Sequence, residues 1–244
     1  MTYPCRVIPF PVTHRSVLER IQSGDAEVRR AAFGDLADGY WRPCYHYLRL
    51  HWRLPPEKAE DLVQGFFTAA FEKRYVERYD PAQAKFRTFL RICLDRFVQN
   101  QQKAERAEKR GGGLPHLSLD FPGAEQELGA ITSVDLRDLD RFFHDETVRA
   151  LFARTVDAMR RAYAAEGKAI VFRVFERHDL QPSPDLTYAS VARELELTPA
   201  QVTNYLHAAR RRFREQTLVS LRALVGTDAE FRDEARELFG LEIP

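Results

Sequence analysis

Residues Thr187 to Arg214, TYASVARELELTPAQVTNYLHAARRRFR, hold the side chains whose types and spacing speak most directly to chemistry. Tyr188, Val191, Ala192 and Leu195 recur at i, i+3, i+4 and i+7, which puts one apolar stripe on a short helix. Thr187 stands where it caps that helix, and Thr198-Pro199 supplies a second N-cap with proline at the first helical position. The second helix buries Val202, Leu206, Ala209 and Phe213. Its other face carries Gln201, Thr203, Asn204, His207, Arg210, Arg211 and Arg214, with Thr198 at the cap. Amides and hydroxyls near the start of a helix and guanidiniums near its end suit the major groove of DNA. The early residues reach base edges and the later ones neutralise phosphates. The segment therefore reads as a helix-turn-helix for double-stranded DNA, against the simpler alternative of a helical hairpin with a solvated polar face.

A second basic stretch has a different character. Phe86, Phe89, Leu90, Cys93, Leu94 and Phe97 form a buried stripe, and between them stand Arg87, Arg91, Arg96, Gln99, Asn100, Gln102, Lys103 and Arg106. Cations, amides and nearby aromatics on one helix suit a separated DNA strand, where phosphates meet cations and unstacked bases meet ring faces. Ahead of it, a helix from Glu57 presents Leu62, Val63, Phe66, Phe67, Ala70 and Phe71 to a core. Glu60, Asp61, Gln64, Thr68 and Glu72 face the other way.

The elements that must position these helices read as helical almost throughout, with no convincing strand alternation. The expectation is an all-α chain of two small helical domains joined by a flexible linker, the second domain containing the helix-turn-helix. An N-terminal extension, 1–24, includes an extended lead with Pro4, Pro9 and Pro11 and a short helix near Ser16 to Gln22. The first domain, 25–110, opens on Asp25 as a cap, breaks at Leu54-Pro55-Pro56, turns at Tyr79-Asp80-Pro81 and closes with the basic helix. Residues 111–140, with Gly111 to Gly113, Pro115, Pro122, Gly123 and Gly129, read as linker. The second domain is 141–217. An acidic helical C-terminal extension, 218–244, follows, with Leu218, Leu221, Leu224, Phe231 and Leu238 among its apolar positions.

Several function classes are excluded or disfavoured. A hydrophobic content of 44% beside 30% charged residues describes a water-soluble chain, and the apolar runs are far short of a membrane span. MTYPCRVIPFP lacks the apolar core of a signal peptide. Cys5, Cys44 and Cys93 are scattered and odd in number, which fits reduced thiols in a cytoplasmic protein. Gly111 to Gly113 is followed by Leu-Pro rather than by a helix carrying Lys-Ser, so no phosphate loop is read. His46 and His51 lack a metal-binding partner set. No catalytic residue, metal site or cofactor is expected. The net charge of +1 conceals local basic clusters and an acidic tail, a distribution suited to DNA together with a protein partner.

Three runs taken together resemble a known family. AEDLVQGFFTAAFEK (Ala59 to Lys73), FRTFLRICLDRFVQNQQKAERAEKR (Phe86 to Arg110) and the C-terminal helix-turn-helix ending YLHAARRRFRE are similar in order and spacing to a bacterial RNA polymerase sigma factor of the extracytoplasmic-function group. The resemblance covers roughly Asp25 to Thr217. It implies that Asp61, Leu62, Gln64 and Thr68 lie on the helix that docks onto the clamp coiled coil of core RNA polymerase. It implies that Arg87, Arg91, Arg96, Gln99, Asn100, Lys103 and Arg106 serve the minus-ten element and the melted non-template strand. Thr198, Gln201, Thr203, Asn204, His207, Arg210, Arg211 and Arg214 would serve the minus-thirty-five element of duplex promoter DNA. The linker would thread toward the polymerase active-site cleft, and an anti-sigma or other regulatory protein is a further implied partner. Arg96 stands where the group often has asparagine, Phe89 where tryptophan is usual, and Gly65 where glutamate is usual. A stand-alone helix-turn-helix regulator with an N-terminal sensor or dimerisation domain is the alternative, and a helical adaptor without a DNA role is a third reading.

Overall fold

The computed structural model describes residues 17–107, 119–130, 138–183 and 185–240. Among these the chain is all-helical, with no strand. Ten α-helices run in order: α1 (Val17–Ile21), α2 (Ala26–Leu50), α3 (Pro56–Glu72), α4 (Phe86–Ala107), α5 (Phe121–Ala130), α6 (Leu139–Ala165), α7 (Ala169–Phe175), α8 (Tyr188–Glu194), α9 (Pro199–Arg222) and α10 (Asp228–Phe239). A 3-10 turn (Tyr75–Arg78) lies between α3 and α4, and a π-helical turn (Glu176–Leu180) follows α7. No helix among the described residues is long and apolar enough to cross a membrane.

The chain divides into two compact units: Met1–Ala150 with Leu221–Pro244, and Leu151–Ser220. Of the segment 218–244, read from sequence as an extension beyond the second domain, the part from Leu221 thus belongs to the first unit, as do residues 141–150, read as the start of the second domain. The second is an insertion that the chain enters within α6 and leaves within α9.

In the first unit α2 is the central helix. Asp25 caps it, its Oδ1 accepting from the amides of Glu27 (2.8 Å) and Val28 (3.3 Å). Leu36, Tyr40, Cys44, Tyr47 and Leu48 are buried along it. Edge-on ring contacts join it to neighbours, Phe33 to Phe67 of α3 at 6.4 Å and Tyr40 to Phe86 of α4 at 5.9 Å. Phe143 of α6 lies between Tyr40 and Tyr47, at 6.3 and 5.9 Å.

Residues 121–130, part of the stretch read as flexible linker, form α5 instead. Sequence reading stopped at Pro122, Gly123 and Gly129, yet Pro122 occupies the first turn, where its missing N–H is not needed. Phe121 packs against Trp41 (5.3 Å) and Tyr45 (5.2 Å), and Ala124 is fully buried. Arg42 pairs with Glu127, Arg49 with Glu125 (2.5 Å), and His46 places its two ring nitrogens at the Ala124 carbonyl (3.1 Å) and the buried Glu146 of α6 (2.5 Å). Of the rest of the proposed linker, 139–140 begin α6, while 111–118 and 131–137 lie outside the described residues, as does 1–16.

The C-terminal helix α10 completes this unit. Thr227 caps it, accepting from the Glu230 amide at 3.1 Å. Glu230 and Glu234, one turn apart, are both buried. Glu230 accepts from the backbone amide of Phe86, the first residue of α4 (2.9 Å), and from Gly226 N–H (3.0 Å). Glu234 accepts from Lys85 Nζ (2.9 Å) and pairs with Arg87. Gly226 permits the close approach, since a Cβ there would meet Tyr79 Cε1 at 2.5 Å.

The second unit packs α6 against α7 and α9 through Met159, Tyr163, Val171, Phe172, Phe175 and Ala209. A second cluster of Val174, Val191, Ala192, Val202 and Leu206 joins α7, α8 and α9. Phe213, expected in the core, is half-buried between Phe152 (5.5 Å) and Phe175 (5.7 Å). Tyr188, assigned to the buried stripe, is exposed instead.

Burial alone would push the Glu234 carboxyl up, but Arg87 and Lys85 outweigh it and hold it below its ordinary value of 4.5. A depressed carboxylate stabilises the fold above that value, and the contribution is lost as acidification protonates it. Glu234→Ala should lower the unfolding free energy by about 3 kcal/mol at neutral pH, because Arg87 is left unpaired under α10. Denaturant titration should show the deficit shrinking as pH falls below 4.5. A neutral-pH stability equal to wild type would remove this role for α10.

Candidate nucleic-acid interface

The loop before α4 is shaped by its own side chains. Arg74 takes a left-handed conformation (φ 52°) and starts the 3-10 turn. Asp80 then folds the next turn by accepting from the Ala82 amide (3.0 Å) and the Gln83 side chain (2.9 Å). Tyr79 donates its hydroxyl to the Ala84 carbonyl (3.0 Å), and its ring lies against Phe86 (5.1 Å) and Phe89 (5.4 Å). Between this loop and α4 lies an open groove of about 420 Å³. Phe89, Ile92, Cys93, Arg96, Phe97 and Asn100 line it from α4, and Tyr75, Arg78, Asp80, Gln83 and Ala84 from the loop. Aromatic rings and apolar side chains, two guanidiniums, two carboxamides and the Asp80 carboxylate therefore line one concavity.

The basic residues of α4 divide into two sets. Arg87 is held by Glu234. Arg91 reaches Asp95 one turn on (3.1 Å) and Asp140 at the start of α6 (2.9 Å), with its side chain only 13% exposed. These two, expected among the minus-ten contacts, are internal ties, because each meets an acidic partner from a segment distant in sequence, Glu234 for Arg87 and Asp140 for Arg91. Arg96, Gln99, Asn100 and Lys103 are exposed on the later turns. Arg106 lies in the last turn of α4, where its side chain is outside the described residues.

On α3, Asp61 is exposed and Gln64 and Thr68 are half-buried. Leu62, expected on the docking face, is only 6% exposed and belongs to the core. The Thr68 hydroxyl donates to the Gln64 carbonyl of its own helix (3.0 Å). Glu60, beside Asp61, has its carboxyl raised by partial burial and then by the neighbouring Glu57 and Asp61 charges. The outward face of α3 is thus acidic.

In the second unit, two reciprocal capping boxes set α8 and α9. Thr187 Oγ1 accepts from the Ser190 amide (3.1 Å) while Ser190 Oγ accepts from Thr187 N–H (2.9 Å). Thr198 Oγ1 accepts from the Gln201 amide (3.2 Å) and Gln201 Oε1 accepts from Thr198 N–H (2.8 Å). Glu196 closes the turn between them with a left-handed φ of 56°. Several expected contact residues are therefore engaged within the protein. Thr198 and Gln201 cap each other, and the Thr203 hydroxyl donates to the Pro199 carbonyl (3.0 Å). Arg210 forks onto Asp179 of the π-helical turn, Nε at 2.7 Å and the terminal nitrogen at 2.6 Å. Asn204, His207 and Arg211 are exposed, and Arg214 is half-buried. Arg212, absent from the sequence-based set, lies over the Tyr163 ring (4.5 Å) and donates to Glu166 (2.7 Å).

Sequence reading missed Tyr75 and Arg78 on the groove, and Asp179, Glu230 and Glu234 as organisers. His144, Glu234 and Glu237 bring their ligand atoms within 4.8 Å of one another, but Lys85 and Arg87 already neutralise Glu234 there and oppose a metal ion. Compared with protein-family models, with curated proteins and with solved structures, the chain matches none.

Two thiols differ in a way that reports on the groove. Cys44 is fully buried, and burial raises its pKa far above the ordinary thiol value. Cys93 on the groove wall is pushed from 9.0 to about 11, by burial first, with Arg96 and Arg78 opposing. At pH 8 in a Cys5→Ser background, Cys93 should carry about a hundredfold less thiolate than a free thiol of the ordinary value, and alkylate correspondingly slowly. The rate should climb with pH toward 11, and Cys44 should react only on unfolding. A Cys93 rate matching that of a free thiol would contradict this placement.

Proposed function

We propose that the chain is a sigma factor of bacterial RNA polymerase, of the extracytoplasmic-function type, directing the core enzyme to promoters and helping to open the duplex. It acts by binding, without catalytic residue or cofactor of its own. The observation that carries the reading is the groove beside α4, where Phe89 and Phe97 stand with Arg78, Arg96 and Asn100. An unpaired strand needs this combination: a ring face or apolar wall for each exposed base and a cation for each phosphate. Gln99 and Lys103 extend the same polar face along the helix.

Supporting features lie on other helices. On α3, exposed Asp61 and half-buried Gln64 form an acidic and amide surface suited to a basic docking partner. In the second unit, the capped α8, the tight turn and α9 support the reading of a helix-turn-helix, with Asn204 and His207 exposed in the first half of α9. The Asn204 carboxamide offers a paired donor and acceptor to a base edge, worth about 1–3 kcal/mol of discrimination. Arg211 and Arg214 follow in positions suited to phosphates. The acceptor of this activity is duplex promoter DNA and its non-template strand, and the partner is core polymerase in the cytoplasm.

The test is reconstitution of the full chain with core polymerase. Co-elution and initiation at discrete start sites are expected. Asp61→Arg should lose co-elution with an unchanged melting temperature, since the side chain is exposed. Arg96→Ala with Lys103→Ala should reduce permanganate reactivity of the bubble by about tenfold while leaving recruitment to duplex DNA near wild type, because both cations would serve the separated strand. DNA binding without any association with core would instead favour the stand-alone regulator.

A further inference from the structure

The π-helical turn Glu176–Leu180 places two titratable side chains in sequence, His178 and Asp179, against both α8 and α9. Asp179 Oδ1 and Oδ2 receive the fork of Arg210, and Oδ1 also lies 2.7 Å from His178 Nδ1. The His178 ring meets the Tyr188 ring edge-on at 5.0 Å, at the first residue of α8. Asp179 and the neighbouring His178 therefore link the π-helical turn after α7 to the first residue of α8 and to the fourth turn of α9.

π-helical turns are rare and less favourable than α-helical ones, and this one offers its acidic side chain to a guanidinium in a bidentate pair. Burial raises the Asp179 carboxyl, but the bonds from Arg210 and His178 outweigh it and leave it below its ordinary value. The Asp179 side chain is 20% exposed and that of Arg210 is 44% exposed, so it is the carboxylate that is partly shielded from solvent. Arg210 is accordingly a neutralised cation whose planar fork fixes the rotation of α9 about its axis. Asn204 and His207 lie within two turns on the same helix, so any rotation at Arg210 is passed to them.

We propose that Asp179 is a positioning residue for DNA reading, acting through Arg210, and that Arg210 is not itself a phosphate or base contact. This rests on the reading of α9 as the duplex-reading helix. The consequence is that Arg210 contributes to sequence preference without contributing to salt dependence. Each phosphate contact adds about 0.9 to the slope of log affinity against log salt for duplex DNA, and an arginine already paired within the protein adds none.

The experiment measures selection from a randomised duplex library, then affinity against salt, for the full chain with core polymerase. Asp179→Asn and Arg210→Ala should each reduce discrimination between selected and mismatched duplexes by about tenfold, within the range of a single base-pair mismatch. The double variant should be no worse than either single one. Arg210→Ala should leave the salt slope unchanged, a readout that loss of folding stability alone does not move. The exchanged pair, Asp179→Arg with Arg210→Asp, should recover discrimination. A slope reduced by about 0.9 in Arg210→Ala would overturn the proposal, because Arg210 would then be on a phosphate. So would an exchanged pair that abolishes binding while remaining folded. Failure of the wild type to select any sequence would defeat the duplex-reading role instead. The pair is then judged by proton exchange at Arg210 Nε in the full chain alone: slow exchange that becomes fast in Asp179→Asn supports it, and solvent-rate exchange in the wild type overturns it.

Discussion

Two buried carboxylates, Glu230 and Glu234, tie α10 to the start of α4, 144 residues away, and the groove beside α4 depends on them. A carboxylate removed from water is costly unless it is paired or hydrogen-bonded. Here one carboxylate takes the first amide of α4 and the Gly226 amide, and the other takes Lys85 and Arg87. The start of α4 is thereby capped from outside its own segment, which satisfies a donor that every helix leaves open. Tyr40 adds a further tie by donating to the Leu224 carbonyl (2.8 Å). With its first turn anchored, α4 presents Phe89, Arg96 and Asn100 to the groove at a fixed rotation.

The same principle sorts cations of α4 and α9 among the described residues. Those that meet acidic residues from elsewhere in the fold, Arg87, Arg91, Arg210 and Arg212, brace helices. Those on later turns facing solvent, Arg96, Lys103 and Arg211, are the ones a phosphate can reach. This division explains how a chain with a net charge of only +1 can present local basic surfaces. The acidic residues neutralise the structural arginines and leave the remaining cations to act in place.

What was legible in the sequence was local. The caps at Asp25, Thr187 and Thr198, the breaks around Pro55 and Pro81, and the helical periods of α3, α4 and α9 all depend on residues a few positions apart. The burial of Val202, Leu206 and Ala209 followed from that period. What was missed was either long-range or against local propensity. Phe86 and Glu230 are 144 residues apart, and no spacing announces their bond. Helix α5 was hidden by its proline and two glycines, although Phe121 and Ala124 carry the contacts that fold it onto α2. Tyr188 fits the stripe by spacing, but it sits at the helix start, where one ring face remains in solvent. The exposed residues of α9 were readable by face, whereas the pairing of Arg210 required the π-helical turn.

The central claim, that a separated strand occupies the α4 groove and duplex DNA lies along α9, is tested most directly by crosslinking. The probe is a fork-junction DNA, double-stranded upstream and single-stranded below, carrying photoreactive bases and bound to the full chain with core polymerase. The account predicts single-strand crosslinks within residues 75–103 and duplex crosslinks within residues 204–214. Single-strand crosslinks on α5 or α10 instead, with none along α4, would contradict it.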